Sequence, residues 1–171
     1  FKVVARHGYA KASMARITEA AGVALGTPYS YFTSHQTLLD QVLVHEGQKL
    51  LSSLGRASTG SRTYLELEER TFAAFTRYVS RKPSFLRVLT ESEIAAPVSY
   101  AQHMGNVEDR YLAALNRAVA AGEVKSMSNE AFRVVAEILS GARGHIAIGF
   151  SGRGARAIPA WAVETYVRFI R

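Results

Sequence analysis

Residues 22–35 read GVALGTPYSYFTSH, and the fold turns on how that stretch is read. It lies between two segments of helical period and looks like the start of a helix. Pro28 nevertheless stands four or five residues in, where a proline removes a backbone hydrogen bond and crowds the turn before it. Two tyrosines, a threonine and serines surround it, with almost no charge. The surroundings call for a short, rigid, hydroxyl-rich helix.

Working outward, three short helices joined by tight turns are expected. Residues 1–6 read as the tail of a first helix, closed by Gly8; FKVVARHG carries no start or cap signal, so a helix begun upstream of Phe1 is expected. Ser13 caps a second helix, with Met14, Ile17 and Ala21 facing inward, and Gly22 ends it. A third helix covers about residues 25–32. Ser34 caps a fourth, over about 34–54, with Leu38, Val42, Leu50 and Leu54 near one stripe. The second and third helices, linked by AAGVA at 20–24, make a helix-turn-helix pattern. Gly22 suits a left-handed backbone position. Ile17 and Val23 plug the angle, and the small Ala20 and Ala21 permit close approach. The third helix then stands free to enter a major groove.

Pro28 has two readings in this frame. With Ala24 as N-cap it is the fourth helical position and loses one bond of the first turn. With Thr27 as N-cap it occupies the first position, where proline is favoured. Its ring either starts the helix or meets a thymine methyl. Tyr29 and Tyr31 are two apart and cannot share a helix face, so one packs inward and the other reaches outward. Ser13, Met14 and Arg16, at the start of the second helix, suit phosphate.

The segment SMARITEAAGVALGTPYSYFTSHQTLL resembles the DNA-binding domain of TetR-family transcriptional regulators. The resemblance rests on Ile17, Ala21, Gly22, Val23, Gly26, Thr27, Tyr29, Phe32, Ser34 and Leu38. It implies an N-terminal helix-turn-helix domain at 1–47 and a helical effector-binding and dimerisation domain at 48–171. It also implies that Ala24, Leu25, Gly26, Thr27, Pro28, Tyr29, Ser30 and Tyr31 face DNA, with the Tyr29 hydroxyl on phosphate. Four residues depart from the family pattern: Thr18 for alanine, Ala24 for a serine cap, Leu25 for a polar or basic residue, and His35 for lysine. The last replaces a fixed phosphate-facing charge with a titratable one.

The remainder of the 171 residues also reads as helix, so the expected class is all-α. Residues 55–61, GRASTGS, are expected to be a flexible connection. Helices follow over 63–80, from Pro83 to about 90, and from Pro97 to 122, then from Ser128 to about 150. A loop at 151–154 and a last helix after Pro159 complete the pattern. Phe72, Phe75, Tyr78, Phe85, Leu89, Tyr100, Met104 and Tyr111 form an aromatic-rich set that is either plain core or, as the resemblance implies, the lining of a ligand pocket. Gly141, Ala142, Gly144 and Ala147, with Trp161, Tyr166 and Phe169, suit a helix-pair dimer interface.

The formal charge is +7, which favours an acidic partner, yet residues 1–47 hold four basic against three acidic side chains. There is no cysteine, which excludes disulfides and thiolate metal sites. No apolar run approaches the roughly 18 residues of a spanning helix. Glu91, Glu93 and His103 lie on different helices and are not read as a metal site. No cofactor motif, nucleophile–base pair or phosphate loop is present. The expected protein is a cytoplasmic, homodimeric repressor that binds double-stranded, palindromic DNA, contacts no membrane and is released by a small apolar or amphipathic effector. The rivals are an all-α enzyme or carrier keeping the helix-turn-helix as scaffold, and an effector-independent DNA-binding protein.

Overall fold

The computed structural model describes residues 1–153, 155 and 157–171. Among these the chain is helical throughout, without strands. The helices are α1 (Lys2–His7), α2 (Met14–Ala21), α3 (His35–Ser58), α4 (Tyr64–Arg81), α5 (Ser84–Ala95), α6 (Pro97–Ala120), α7 (Asn129–Gly152) and α8 (Ala160–Phe169), with 3-10 turns at Tyr9–Lys11 and Thr27–Ser30. The all-α expectation holds.

The helices from α4 to α8 start within one residue of where the sequence predicts. Thr63 and Ser128 accept hydrogen bonds from the backbone N–H groups of Glu66 and Ala131, and Pro83 and Pro97 stand at helix starts. Three boundaries differ. The helix expected from Pro83 to about 90 runs to Ala95. The helix begun at His35 runs to Ser58, through most of the stretch expected to be a flexible connection. The Ser58 hydroxyl donates back to the Gly55 carbonyl at 2.8 Å, inside the helix's last turn. Of the loop expected at 151–154, Ser151 and Gly152 belong to α7, and Gly154 lies outside the described residues.

The chain packs as two compact units. One is Phe1–Lys49 with Pro83–Met104; the other is Leu50–Lys82 with Gly105–Arg171. The packing therefore departs from a simple division at residue 47, because α5 and the start of α6 join the N-terminal unit. The apolar core there explains it: Val88 of α5 and Ala96 are buried with Val4, Tyr9, Ala12, Leu39 and Val42. Glu91 of α5 reinforces this by accepting the Tyr9 N–H at 2.9 Å and the Arg87 Nε at 2.7 Å. Burial alone would raise the Glu91 pKa; the bonds from Arg87 and Tyr9 outweigh it and lower it.

His103 of α6 is buried in the same unit against α3. Gly47 makes that approach possible, because a Cβ there would fall 2.3 Å from His103 Nδ1. Burial pushes the His103 pKa down from 6.5 to about 4.

The second unit is built around one buried ion pair. Arg143 Nη2 of α7 donates to Glu68 Oε2 of α4 at 2.5 Å, to the Glu68 carbonyl at 2.9 Å and to Thr71 Oγ1 at 3.2 Å. The Tyr166 hydroxyl of α8 donates to the same carboxylate oxygen at 2.7 Å. The Arg143 guanidinium lies 5.3–5.5 Å from the ring centroids of Phe72, Tyr111 and Tyr166. Burial alone would lower the Arg143 pKa; Tyr111, Glu68 and Tyr166 together raise it. The pair ties α4, α7 and α8 together inside an apolar shell of Phe72, Tyr111, Ala136, Leu139, Val163 and Val167.

Two tests follow from this packing. Glu68→Gln leaves a buried cation uncompensated and should cost about 3–5 kcal/mol, read as a lowered urea midpoint, whereas the paired change Glu68→Met with Arg143→Met should recover most of the loss. In the first unit, the unfolded chain takes up the His103 proton near pH 6.5 and the folded unit resists it until about pH 4. This contribution to stability is therefore complete above pH 6.5 and is lost as pH falls across that interval. Thermal melts of the wild type should show a steeper decline from pH 6.5 to 4 than those of His103→Gln.

Candidate nucleic-acid interface

The interface begins at Ser13. Its side chain accepts the Arg16 N–H and caps α2, which buries Met14 and Thr18. The Thr18 hydroxyl donates to the Met14 and Ala15 carbonyls, both at 3.0 Å, so the β-branched residue sits in the core without an unpaired polar atom. Ala21, expected to face inward, is exposed, as is Ala20; Thr18 takes the inward position instead, one turn after Met14.

Gly22 then adopts φ 69°, ψ 32°, the left-handed conformation read from the sequence. Its N–H donates to the Glu19 carbonyl at 3.2 Å, and the Val23 N–H donates to the Thr18 carbonyl at 3.1 Å. This pair of bonds closes α2 and turns the chain sharply. Val23, expected to plug the angle, is largely exposed; Ile17 alone of the two packs against the core.

The next element is a 3-10 turn at Thr27–Ser30 rather than the expected α-helix over 25–32. Pro28 explains the difference. It has no N–H to offer the Ala24 carbonyl, which accepts from Thr27 at 3.0 Å instead. The following bonds, Tyr29 N–H to Gly26 and Tyr31 N–H to Pro28, have the same three-residue spacing. The cap is Gly26, neither Ala24 nor Thr27, and Pro28 is the second residue of the turn. Its ring is buried, so it does not present an apolar face to a base.

Both tyrosines point outward, Tyr29 with 57% and Tyr31 with 79% of its surface exposed. The expectation that one packs inward fails because the tighter 3-10 winding leaves the inward place to Pro28. Leu25 is 58% exposed, and Ala24, Gly26 and Ser30 are exposed beside it. Thr27 is half-buried. Met14 is buried, so its side chain does not face a ligand.

His35 opens α3, and its Nε2 donates to the Ala12 carbonyl at 2.6 Å. That bond commits one ring nitrogen to the fold and leaves Nδ1 as the free one. Ser34 caps the same helix reciprocally: the Thr37 N–H donates to Ser34 Oγ at 3.1 Å, and the Ser34 N–H to Thr37 Oγ1 at 3.0 Å. Lys11, passed over by the sequence reading, is exposed next to Ser13, and its carbonyl accepts Arg16 Nη1 at 3.1 Å. The signal was a basic residue two positions before a helix cap.

The expected pocket residues divide between the units. Phe72, Phe75, Tyr78 and Tyr111 belong to the second, and Phe85, Leu89, Tyr100 and Met104 to the first. Phe72 and Phe85 expose none of their surface, so neither borders an open cavity in this conformation. Of the expected dimer residues, Ala147 and Tyr166 are buried in the second unit, Tyr166 by its bond to Glu68. Ala142 and Gly144 are half-buried; Gly141, Trp161 and Phe169 are exposed. Among the described residues no group of three or more His, Asp or Glu side chains is placed to hold a metal. None of the described helices is long and apolar enough to cross a membrane.

A short capped helix, a left-handed glycine and an exposed turn in this order define a helix-turn-helix protein. Residues 1–42 match the family model of the bacterial regulatory proteins, tetR family. The chain is 25% identical over 136 residues to the HTH-type transcriptional repressor KstR of Mycobacterium tuberculosis, a match covering 80% of this chain and 62% of that repressor. It is 31% identical over 114 residues to KstR of Rhodococcus jostii, covering 65% of this chain and 53% of the relative. The chain thus spans less than two thirds of the length of these relatives. In fold it is similar to the transcriptional regulator FadR of Bacillus subtilis in complex with stearoyl-CoA, with a TM-score of 0.83 at 15% identity, over 98% of this chain and 91% of that one. FadR of Bacillus halodurans gives a TM-score of 0.81 at 16% identity, over 98% of this chain and 87% of that one. Over residues 1–42 the chain thus resembles the TetR family of transcriptional regulators.

Nothing lies within 4 Å of a Cβ placed on Gly22. Gly22→Ala should therefore cost about 1–2 kcal/mol through backbone strain alone, and Gly22→Asn less. Urea unfolding of the three proteins measures this; identical midpoints would contradict the left-handed turn.

Proposed function

We propose that this chain is a DNA-binding transcriptional repressor. It acts as a homodimer on a palindromic operator and is released by a small apolar or amphipathic ligand. The observation that carries the reading is the exposed, rigid turn from Leu25 to Tyr31 beside the capped start of α2. Ser13, Arg16 and Lys11 are placed to hold phosphate and fix the register, while the turn meets base edges. Tyr29 supplies a hydroxyl for the backbone. This division keeps 1–47 as the reading part, even though α5 packs with it. The reading places the protein in the cytoplasm, where its operator is.

Dimerisation is assigned to the outer faces of α7 and α8. Val134, Ile138, Gly141, His145 and Ile148 follow one another at helical spacing and are all exposed, Ile138 by 60%. Trp161, Thr165 and Phe169 form a matching stripe on α8, where Phe169 is 86% exposed. Two helices from each subunit would bury these stripes in a four-helix bundle. This surface replaces the buried Ala147 and Tyr166 with Val134, Ile138 and Ile148.

For the effector, the solved FadR structure with stearoyl-CoA supports an amphipathic ligand with a long apolar chain. Such a ligand weakens DNA binding only by favouring the DNA-incompetent arrangement. In this chain it would enter the second unit by displacing the side chains around Phe72.

The test is a mobility-shift titration of the full chain on duplex DNA from upstream of its own coding sequence. A dimer-sized complex is expected. Ile138→Glu should yield a folded monomer that no longer retains the duplex. Stearoyl-CoA should lower the affinity roughly 5- to 150-fold, the range of a typical allosteric coupling. A monomer with undiminished affinity would contradict the dimer, and unaltered affinity would contradict this class of effector.

A further inference from the structure

The reading turn lacks the side chains that recognise guanine and adenine by paired hydrogen bonds. Between Glu19 and His35 there is no arginine, lysine, asparagine or glutamine. Bidentate contact to guanine takes an arginine or lysine, and bidentate contact to adenine an asparagine or glutamine. The nearest amide, Gln36, spends its Nε2 on the Ala95 carbonyl at 2.9 Å and on Asp40 at 3.2 Å. The nearest upstream cation, Arg16, donates from Nη1 to the Lys11 carbonyl at the other end of α2. What the turn offers instead is apolar surface and hydroxyls: Val23, Leu25 and Tyr31 exposed, with Thr27 and Ser30 between. Pro28, the other apolar group of the turn, is buried and takes no part.

We infer that the turn reads its half-site by packing Leu25 and Tyr31 against thymine methyl groups, so that A·T pairs specify the core of the operator. The inference rests on the DNA-binding reading above and adds the chemistry of the sequence recognised. In the major groove the thymine C5-methyl is the one apolar group among the base edges, and an exposed leucine has no other complement there. The hydroxyls of Thr27 and Ser30 both donate and accept, so they tolerate either strand orientation. The charge that binding needs lies outside the turn, on Lys11 and Arg16, where it strengthens attachment without specifying sequence.

The experiment uses the full chain and has two stages. Selection from a pool of random duplexes should enrich half-sites whose central positions are A·T. Thymines in the selected site are then replaced one at a time by deoxyuridine, which removes only the methyl group. In the wild type, the contacted positions should each lose about fourfold in affinity, the effect of burying one methyl. In Leu25→Ala, deoxyuridine at the position contacted by Leu25 should cost nothing further, and Tyr31→Ala should behave likewise at its own position. Leu25→Arg should shift the preference at that position to guanine. Both residues are exposed, so circular dichroism and melting should match the wild type. Selected cores rich in G·C would overturn the inference while leaving DNA binding intact. So would a deoxyuridine effect that persists unchanged in both alanine variants, since the methyl would then act through DNA shape. Retention of no duplex at all would overturn this inference together with the reading on which it rests.

Discussion

The left-handed turn at Gly22 is the constraint from which the reading surface follows. An L-residue with a side chain resists that conformation, and only there can the Val23 N–H turn back to the Thr18 carbonyl. The chain leaves α2 at a fixed angle and enters a turn that Pro28 keeps in the tighter 3-10 winding. Burial of the Pro28 ring anchors the turn from below, and Leu25, Tyr29 and Tyr31 are left outside. The three facts are linked: one missing Cβ, one missing N–H and one buried ring decide which side chains meet a partner.

The second unit has a different foundation. Most of its core is apolar, yet its centre holds a charged pair with almost no solvent exposure, Glu68 and Arg143. Such a pair repays its desolvation only when its remaining hydrogen-bonding groups are also satisfied. Thr71, the Glu68 carbonyl and the Tyr166 hydroxyl do much of this, and three aromatic rings surround the guanidinium. Arg143 Nε and the Tyr64 hydroxyl remain buried without a partner among the described residues. The pair specifies how α4, α7 and α8 meet more than it adds to stability. That specificity leaves the outer faces of α7 and α8 exposed.

Much of this was legible in the sequence because it depends on local chemistry. Ser13, Gly22, Ser34, Thr63, Pro83, Pro97 and Ser128 mark helix ends through their own backbone preferences, and each stands at one. What stayed hidden depends on contacts distant in sequence. The packing of α5 in the first unit is reinforced by Glu91 reaching Tyr9 of the 3-10 turn after α1, and nothing near Glu91 announces it. Glu68 is a buried carboxylate whose partner Arg143 lies 75 residues away, so no local pattern announces the pair. The expectation that one of Tyr29 and Tyr31 packs inward failed because the pattern was taken as α-helical, and a change to three residues per turn rotates each side chain to another face. Tyr166 was taken for a surface residue because aromatic spacing alone cannot distinguish an inner face from an outer one.

Amide hydrogen exchange of the full chain, with and without a duplex carrying its operator, tests the central claim most directly. The account predicts that the amides of Val23, Thr27, Tyr29 and Tyr31, together with those of residues 13–16, gain protection when DNA is bound. Those on the outer face of α7, the proposed dimer surface, should change little, since the proposal has the dimer formed in both states. Protection confined to residues beyond 105, with the amides from 22 to 31 exchanging as they do in the free protein, would contradict the assignment of this turn as the surface that reads DNA.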